Sequence, residues 1–340
     1  MDSSQTFLGS LPLPSPPFSD KENLLVGLSG GSDSTALLHL LAHQLPKASA
    51  RLMAIHVNYG LRGRESDRDE AAARALCGTW KIPFRVLKLK KFKWEARREK
   101  RSLQDWARER RYSFFARLAR REKAWGVAVA HHQEDQAETL LDRLLRGAGT
   151  RGLTGLRPVQ ELTLSKTTAP LKIWRPLLAY PKTQLETYLR SRRIAWREDR
   201  SNQESHYRRN QIRNRIIPYL ARWNPRISET LAKWGEISGA EDVFLTESLR
   251  NHQRDLRNHW SPSSYSGREA GFVHMPLALQ RRWVRQVAER LNPDARGLSF
   301  DRIEDMVRVW TGRKKGPSDM GYGLVVDQRK GRLWLTFHAK

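Results

Sequence analysis

The chain has 340 residues, 39% of them hydrophobic, and its 62 Lys plus Arg against 36 Asp plus Glu leave a net charge of +26. That length suits one sizeable domain and a smaller second one, and the charge calls for a polyanionic partner, nucleic acid ahead of a membrane surface. One cysteine, Cys77, excludes an internal disulfide and a multi-cysteine metal site. No run reaches the roughly 18 apolar residues of a membrane span, and Met1 to Pro17 lacks a signal peptide's basic start and apolar core, so a cytoplasmic protein with no membrane partner is expected.

Residues 1–20, with Pro12, Pro14, Pro16 and Pro17, read as a loose tail. The apolar run Leu24–Leu28, bounded by glycine and serine, predicts a buried parallel strand, and Thr35–Leu45 has helical leucine spacing. The alternation continues: strand Leu52–Val57, helix Ser66–Trp80, strand Phe84–Leu89, helix Ser102–Trp125, strand Val127–Ala130, helix Glu134–Arg146. Such alternation predicts an open, mostly parallel α/β sheet with helices on both faces, Rossmann-like in plan. Beyond Gly155, residues 157–180 read as extended or loop, followed by a helix from Pro181 to Arg193, a basic stretch from Arg208 to Arg222 and a helical pattern from Ile227 to Leu256. Residues 257–271 are rich in Ser, Asn and Gly and read as a boundary. Helices Leu277–Leu291 and Phe300–Trp310 and strands Gly323–Asp327 and Arg332–Phe337 complete the chain. The expected organisation is therefore a tail (1–20), a catalytic domain (21–222), a helical linker (223–265) and a small α+β C-terminal domain (266–340).

In such sheets ligands bind at the carboxyl ends of the strands. Three segments lie there: Ser29-Gly30-Gly31-Ser32-Asp33-Ser34, His56 to Arg62, and His131 to Asp135. The first has glycines where a backbone must approach an anion and leads into a helix N-terminus that favours phosphate. It lacks the lysine of a Walker A loop. Asp135 and Glu138 share a helix face at i, i+3, and two carboxylates on one face suit Mg²⁺ or an ammonium group. The basic runs Lys88 to Arg101, with Phe92 and Trp94, and Arg190 to Arg222, with Trp196, Tyr207 and Tyr219, interleave cations with rings that can stack on unpaired bases.

The string Ser29 to Ser34 after a first strand resembles the PP-loop of the N-type ATP pyrophosphatases. Further segments resemble the tRNA(Ile)-lysidine synthases in particular: His56 to Arg62, Ala107 to Tyr112, Ala130 to Gly152, Arg175-Pro176-Leu177-Leu178, Asp199-Arg200-Ser201-Asn202 and Arg209-Asn210-Gln211-Ile212-Arg213. These segments run in order from Leu24 to about Pro218, and the C-terminal hairpin resembles that family's substrate-binding domain. The resemblance implies a ligase that consumes ATP to adenylate C2 of cytidine 34 in the CAU anticodon of tRNA(Ile). Free L-lysine then attacks through its ε-amine, and pyrophosphate and AMP are released.

It further implies ATP binding by Ser29, Gly30, Gly31, Ser32, Asp33, Ser34, His56 and Asn58, and catalysis by Asp33, Arg111, His132, Asp135 and Glu138. Mg²⁺ would be held by Asp33 and Asp135. One of the carboxylates, or His132, is the expected base, and Arg62, Arg208, Arg209, Asn210 and Arg213 are the expected tRNA contacts. Oligomeric state is left open, a homodimer included. The rival readings are a PP-loop tRNA thiolase, disfavoured by the single cysteine, a GMP synthetase-like ligase, for which there is no room for a glutaminase domain, and a non-catalytic RNA-binding protein.

Overall fold

The computed structural model describes residues 11–19, 22–45, 52–60, 63–89, 102–164, 169–197 and 208–338. Arg62, most of the basic run from Lys88 to Arg101, Asp199 to Asn202 and Tyr207 lie outside the described residues. The chain packs as two compact units, Met1–Gly239 and Ala240–Lys340.

The first unit is built on a six-stranded sheet. Its strands are β1 (Asn23–Gly27), β2 (Leu52–Asn58), β3 (Phe84–Lys88), β4 (Ala124–Ala128), β5 (Val159–Leu162) and β6 (Leu171–Trp174), in the order β3-β2-β1-β4-β6-β5. All neighbours pair in parallel except β5, which is antiparallel to β6. The helices are α1 (Ser32–Gln44), α2 (Arg64–Thr79), α3 (Leu103–Arg121), α4 (Gln133–Leu144), the short α5 (Thr150–Leu153) and α6 (Lys182–Ser191). Leu24 and Val26 face a core with Leu37, Leu41, Cys77, Leu185 and Leu189, while Leu25 faces the opposite core with Ile55, Phe115, Val127 and Ile173. Burial on both faces is why β1 is a continuous apolar run rather than an alternating one.

Several elements depart from expectation. Residues 157–180 contain the β5–β6 hairpin, which extends the sheet. β4 begins at Ala124, not Val127, because α3 ends at Arg121 and Lys123 takes a left-handed φ of 49° that turns the chain at once into the strand. A Cβ at Gly126 would collide with the carbonyl of Lys172 on β6, so this central strand requires glycine at its closest neighbour approach. Residues 11–19 are anchored rather than loose. Leu13 N–H donates to Gln44 at 2.8 Å, Gln44 donates back to the Leu11 carbonyl at 2.7 Å, and Phe18 packs against Trp125 and Trp174.

After α6 comes a basic helical run of α7 (Arg208–Gln211), a π-helical turn (Ile212–Ile216) and α8 (Ile217–Ala221), then the long α9 (Ile227–His252), within which the division between units falls. The second unit carries an antiparallel sheet of β7 (His259–Trp260), β8 (Ser264–Arg268), β9 (Ser318–Gly321), β10 (Leu324–Arg329) and β11 (Arg332–Phe337), ordered β7-β8-β11-β10-β9. Helices α10 (Glu269–Val273), α11 (Leu277–Leu291) and α12 (Phe300–Trp310) cover it, with Tyr265, Phe272, Trp283 and Trp310 in its core. The Ser- and Gly-rich stretch expected to be a boundary thus holds β7 and β8, and the expected pair of strands belongs to a sheet of five.

Candidate active site

β1 lies between β2 and β4, so successive connections leave it in opposite directions and open a crevice at its carboxyl end. The loop that follows is folded around one hydroxyl. Ser34 Oγ accepts from the Ser29 N–H at 3.1 Å and the Gly30 N–H at 3.3 Å, lies 2.9 Å from Ser29 Oγ, and donates to the Gly31 carbonyl at 3.2 Å. Gly30 has φ 94°, open to glycine and strained for other residues. No side chain caps the N-terminus of α1, which leaves its first-turn amides available to an anion. Ser34 is thereby the builder of the loop, and the ligand-facing donors are chiefly backbone amides. The loop is also tethered from outside: the Gly30 carbonyl accepts from the Arg197 N–H at 3.0 Å, and Arg197 Nε pairs with Asp69 at 2.7 Å.

Across the crevice, α4 starts directly after β4, and its first residues form a dense polar cluster. His132 is 3% exposed. Its Nδ1 is bonded to Glu134 at 2.8 Å, and its Nε2 lies 3.6 Å from Asp33 Oδ2 and 3.4 Å from Asp135 Oδ2. The loop and α4 therefore meet at one imidazole. Burial alone would lower the His132 pKa, but the Glu134 hydrogen bond and the charges of Asp135 and Asp33 outweigh it and raise it above the ordinary histidine value. Asp135 also accepts from the His132 N–H at 3.1 Å. Burial would raise its pKa; His132, Arg209 and His131 together hold it below the usual carboxylate range. Glu134 additionally accepts from the Lys182 N–H at 3.0 Å, which fastens the start of α6 to the cluster.

The second face of the cluster is cationic. Arg209 reaches Asp135 Oδ1 at 2.5 Å and Glu138 Oε2 at 2.7 Å, and Arg213 bonds Glu138 through both Nε and Nη2. Glu138, 1% exposed, has both oxygens engaged. The π-helical turn keeps Arg209 and Arg213 on the same side, a local distortion often found at functional sites. Both arginines, expected as RNA contacts, pair with carboxylates in this structure, and Arg208 likewise pairs with Asp142 at 3.0 Å. Asn210 lies partly buried beside them on α7.

Three further groups close the site. Arg175, 1% exposed, follows β6 directly and donates through Nε to His131 Nδ1 at 3.0 Å and through Nη1 to the Arg157 carbonyl at 2.7 Å. Burial first, then this guanidinium and its neighbours, hold His131 neutral with a pKa lowered to about 3. Arg111 lies 5.2 Å over the Tyr112 ring, bonds the Tyr59 hydroxyl, and contributes to the field on His131. His56 is buried, with Nδ1 2.8 Å from the Leu28 carbonyl, and pins β2 to the start of the loop. Asn58 gives its amide protons to Asp67 and Glu70, each at 3.0 Å, while its oxygen accepts from the Gly60 N–H at 2.9 Å. These bonds fix the turn after β2 and leave the Asn58 amide no proton for a nucleotide.

The pairings made by Arg175, Glu134 and Arg197 were not foreseen. A charged residue directly after the apolar strand Leu171–Trp174 was the available signal for Arg175, and nothing local pointed to Arg197. Among the described residues, no group of three or more His, Cys, Asp or Glu is arranged as a metal cage. Asp33 nevertheless suits Mg²⁺ held jointly with phosphate oxygens. Its carboxylate is 28% exposed and only lightly engaged, whereas Asp135 has one oxygen on Arg209 and the other on His132.

A doubly wound sheet with this loop at its switch point defines a class of nucleotide-binding protein, and residues 5–220 match the family model described as the PP-loop domain. The chain is 35% identical over 295 residues to the tRNA(Ile)-lysidine synthase of Geobacter sulfurreducens, covering 86% of this chain and 60% of that one. It is 33% identical over 325 residues to that of Solibacter usitatus, covering 94% and 68%. The chain belongs to the tRNA(Ile)-lysidine synthase family of PP-loop proteins, and it spans roughly two thirds of the length of these curated relatives. Among solved structures, the U34-tRNA thiolase NcsA from Methanococcus maripaludis superposes with a TM-score of 0.52 at 20% identity, over 66% of this chain and 74% of that one, a likeness of fold alone. No helix among the described residues is long and apolar enough to cross a membrane.

Proposed function

We propose that the chain is a lysidine-forming ligase. It would use ATP to adenylate the C2 oxygen of cytidine 34 in the CAU anticodon of tRNA(Ile), then pass the activated carbon to the ε-amine of free L-lysine, with pyrophosphate and AMP as products. The observation that carries this reading is the convergence of Asp33, from the loop, and Asp135, from α4, on His132 Nε2. The uncapped first-turn amides of α1, from Ser32 onward, would hold the departing pyrophosphate, with Gly30 and Gly31 letting it approach the backbone. Mg²⁺, bound with ATP at Asp33, would neutralise phosphate charge. Arg111, whose charge acts on His131, would meet negative charge developing there.

His132 is the base we assign. With Nδ1–H committed to Glu134, the neutral ring presents Nε2 as acceptor between two carboxylates. Its raised pKa brings it nearer the lysine ammonium than Asp135, whose pKa is lowered, or Glu138, whose oxygens are taken by arginine. The thiolase alternative needs cysteine chemistry, and the one cysteine, Cys77, is buried with its thiol pushed up to about 11 by burial. The C-terminal unit would contribute further tRNA contacts.

The direct test is incubation with labelled lysine, ATP and a CAU-anticodon tRNA transcript. Lysine should enter the RNA with one AMP and one pyrophosphate released per lysine. No incorporation would overturn the proposal.

A further inference from the structure

Between His206 and Ser228 the sequence holds six arginines and no Asp or Glu. The structure divides them by direction. Arg208, Arg209 and Arg213 turn inward to Asp142, Asp135 and Glu138. Arg215, Arg222 and Arg226 are exposed, and among the described residues none of the three forms an ion pair. On this outward side stand two aromatic rings: Trp223 at 80% exposure, among the most exposed large apolar side chains of the chain, and Tyr219 at 56%. The Arg222 guanidinium lies 5.9 Å from the Tyr219 ring centre. The corner is held in shape by the Asn224 side chain, which bonds Thr230 at 3.1 Å and accepts from the Arg226 N–H at 3.0 Å.

A lone exposed tryptophan is unremarkable. Two exposed rings one helical turn apart, bracketed by three guanidinium groups, with the nearby Glu229 engaged by Lys233, are a different chemical surface. Every nucleobase offers a π-face and every nucleotide a phosphate, and a ring-and-cation ledge fits both. A paired duplex would hide the bases from the rings, whereas unpaired nucleotides offer rings and phosphates together to match this mix of aromatics and cations. We infer that Tyr219, Arg222, Trp223, Arg215 and Arg226 form a ledge that stacks unpaired bases of an RNA substrate and holds its phosphates. The other side of the same helical run lines the reaction site. This deepens the RNA-substrate reading and rests on it: the ledge would grip unpaired nucleotides flanking the reacting base while the inward arginines remain with their carboxylates.

The test uses the full chain and two RNA probes, a stem with an unpaired loop and a fully paired duplex of the same length. Trp223→Ala should weaken stem-loop binding about tenfold, since stacking is worth roughly 1–3 kcal/mol per base, and leave duplex binding unchanged. Trp223→Phe should restore most of the loss. Arg222→Gln with Arg226→Gln should reduce the salt dependence of stem-loop binding by about one phosphate contact or more. Because the ring stands in solvent, the thermal melt of Trp223→Ala should match wild type. Unchanged stem-loop binding, or equal loss on both probes, would overturn the ledge. So would a Trp223→Ala shift in oligomeric state with RNA binding intact, which would mark an interface between copies. Failure here is separable from failure of the ligase reading: lysine incorporation can persist with a silent Trp223, and Trp223-dependent loop binding can persist without lysine incorporation.

Discussion

Glu138 in the first unit and Asp242 in the second are both buried carboxylates answered by arginine, but their cations differ. Arg282 is 9% exposed, reaches Asp242 at 2.5 Å and spends another donor on Thr246 at 2.7 Å, so pair and surroundings form one dry, fixed unit. Arg209 and Arg213 are 46% and 32% exposed, so each can exchange its carboxylate for water or a ligand. Buried ion pairs seldom add much net stability, because desolvation offsets attraction, yet removing one partner from a dry pair is expensive. The contrast separates a pair that serves rigidity from one that leaves charge accessible at a site.

The largest effect should come from the loop. Asp33→Ala is expected to slow pyrophosphate release by about a thousandfold while tRNA affinity stays within about twofold. Parallel loss of both would make Asp33 part of the scaffold and erase the distinction between the two regions. Next, Arg282→Met should lower the unfolding free energy in urea by about 3 kcal/mol, and Arg213→Met by about 1 kcal/mol or less, its partner keeping Arg209 and access to water. Equal losses would break the comparison.

Smaller effects should appear in pH profiles, with opposite signs. His39 lies 2.7 Å from the Tyr188 hydroxyl and stacks on His43, and burial, with His43 and Arg192, lowers its pKa to about 4. Its neutral form is favoured in the folded chain, so the stability it contributes is present above pH 6.5 and lost as pH falls toward 4. His39→Gln should flatten that acid limb by on the order of 2 kcal/mol. His132 is raised, so its contribution is full below pH 6.5 and disappears as pH rises through its folded value. His132→Asn should flatten the alkaline side, and unfolding curves from pH 4 to 9 would read both.

β1 and its two neighbours, β2 and β4, were legible because a strand buried on both faces is largely apolar, as Leu24 to Val26 are. The hairpin β5–β6 was not, since Val159-Gln160-Glu161-Leu162 is short and polar and acquires its place only by pairing with residues further along the chain. β8 reads as linker because Ser264, Ser266 and Gly267 are turn-formers by composition, yet pairing with β11 buries Ser266 and Gly267. At the site, Asp33, His132 and Asp135 were visible as strand-end residues, and Glu138 by its i, i+3 spacing from Asp135 on the following helix. Their partners were not: Arg209 and Arg213 lie 71 and 75 residues from Glu138, and Arg175 lies 44 from His131, separations at which local pattern carries no information.

The bond from Arg197 to the Gly30 carbonyl also bears on how this protein could be divided. The glycine-rich loop is held by a residue more than a hundred and fifty positions downstream, so it is not a cassette complete by the end of α1. A graft of the first strand, loop and helix into another sheet would bring the sequence of the loop without the clasp that sets its opening. A chimera intended to keep the nucleotide site must carry the chain past Arg197, and its junction belongs beyond the inward-facing arginines at 208–213.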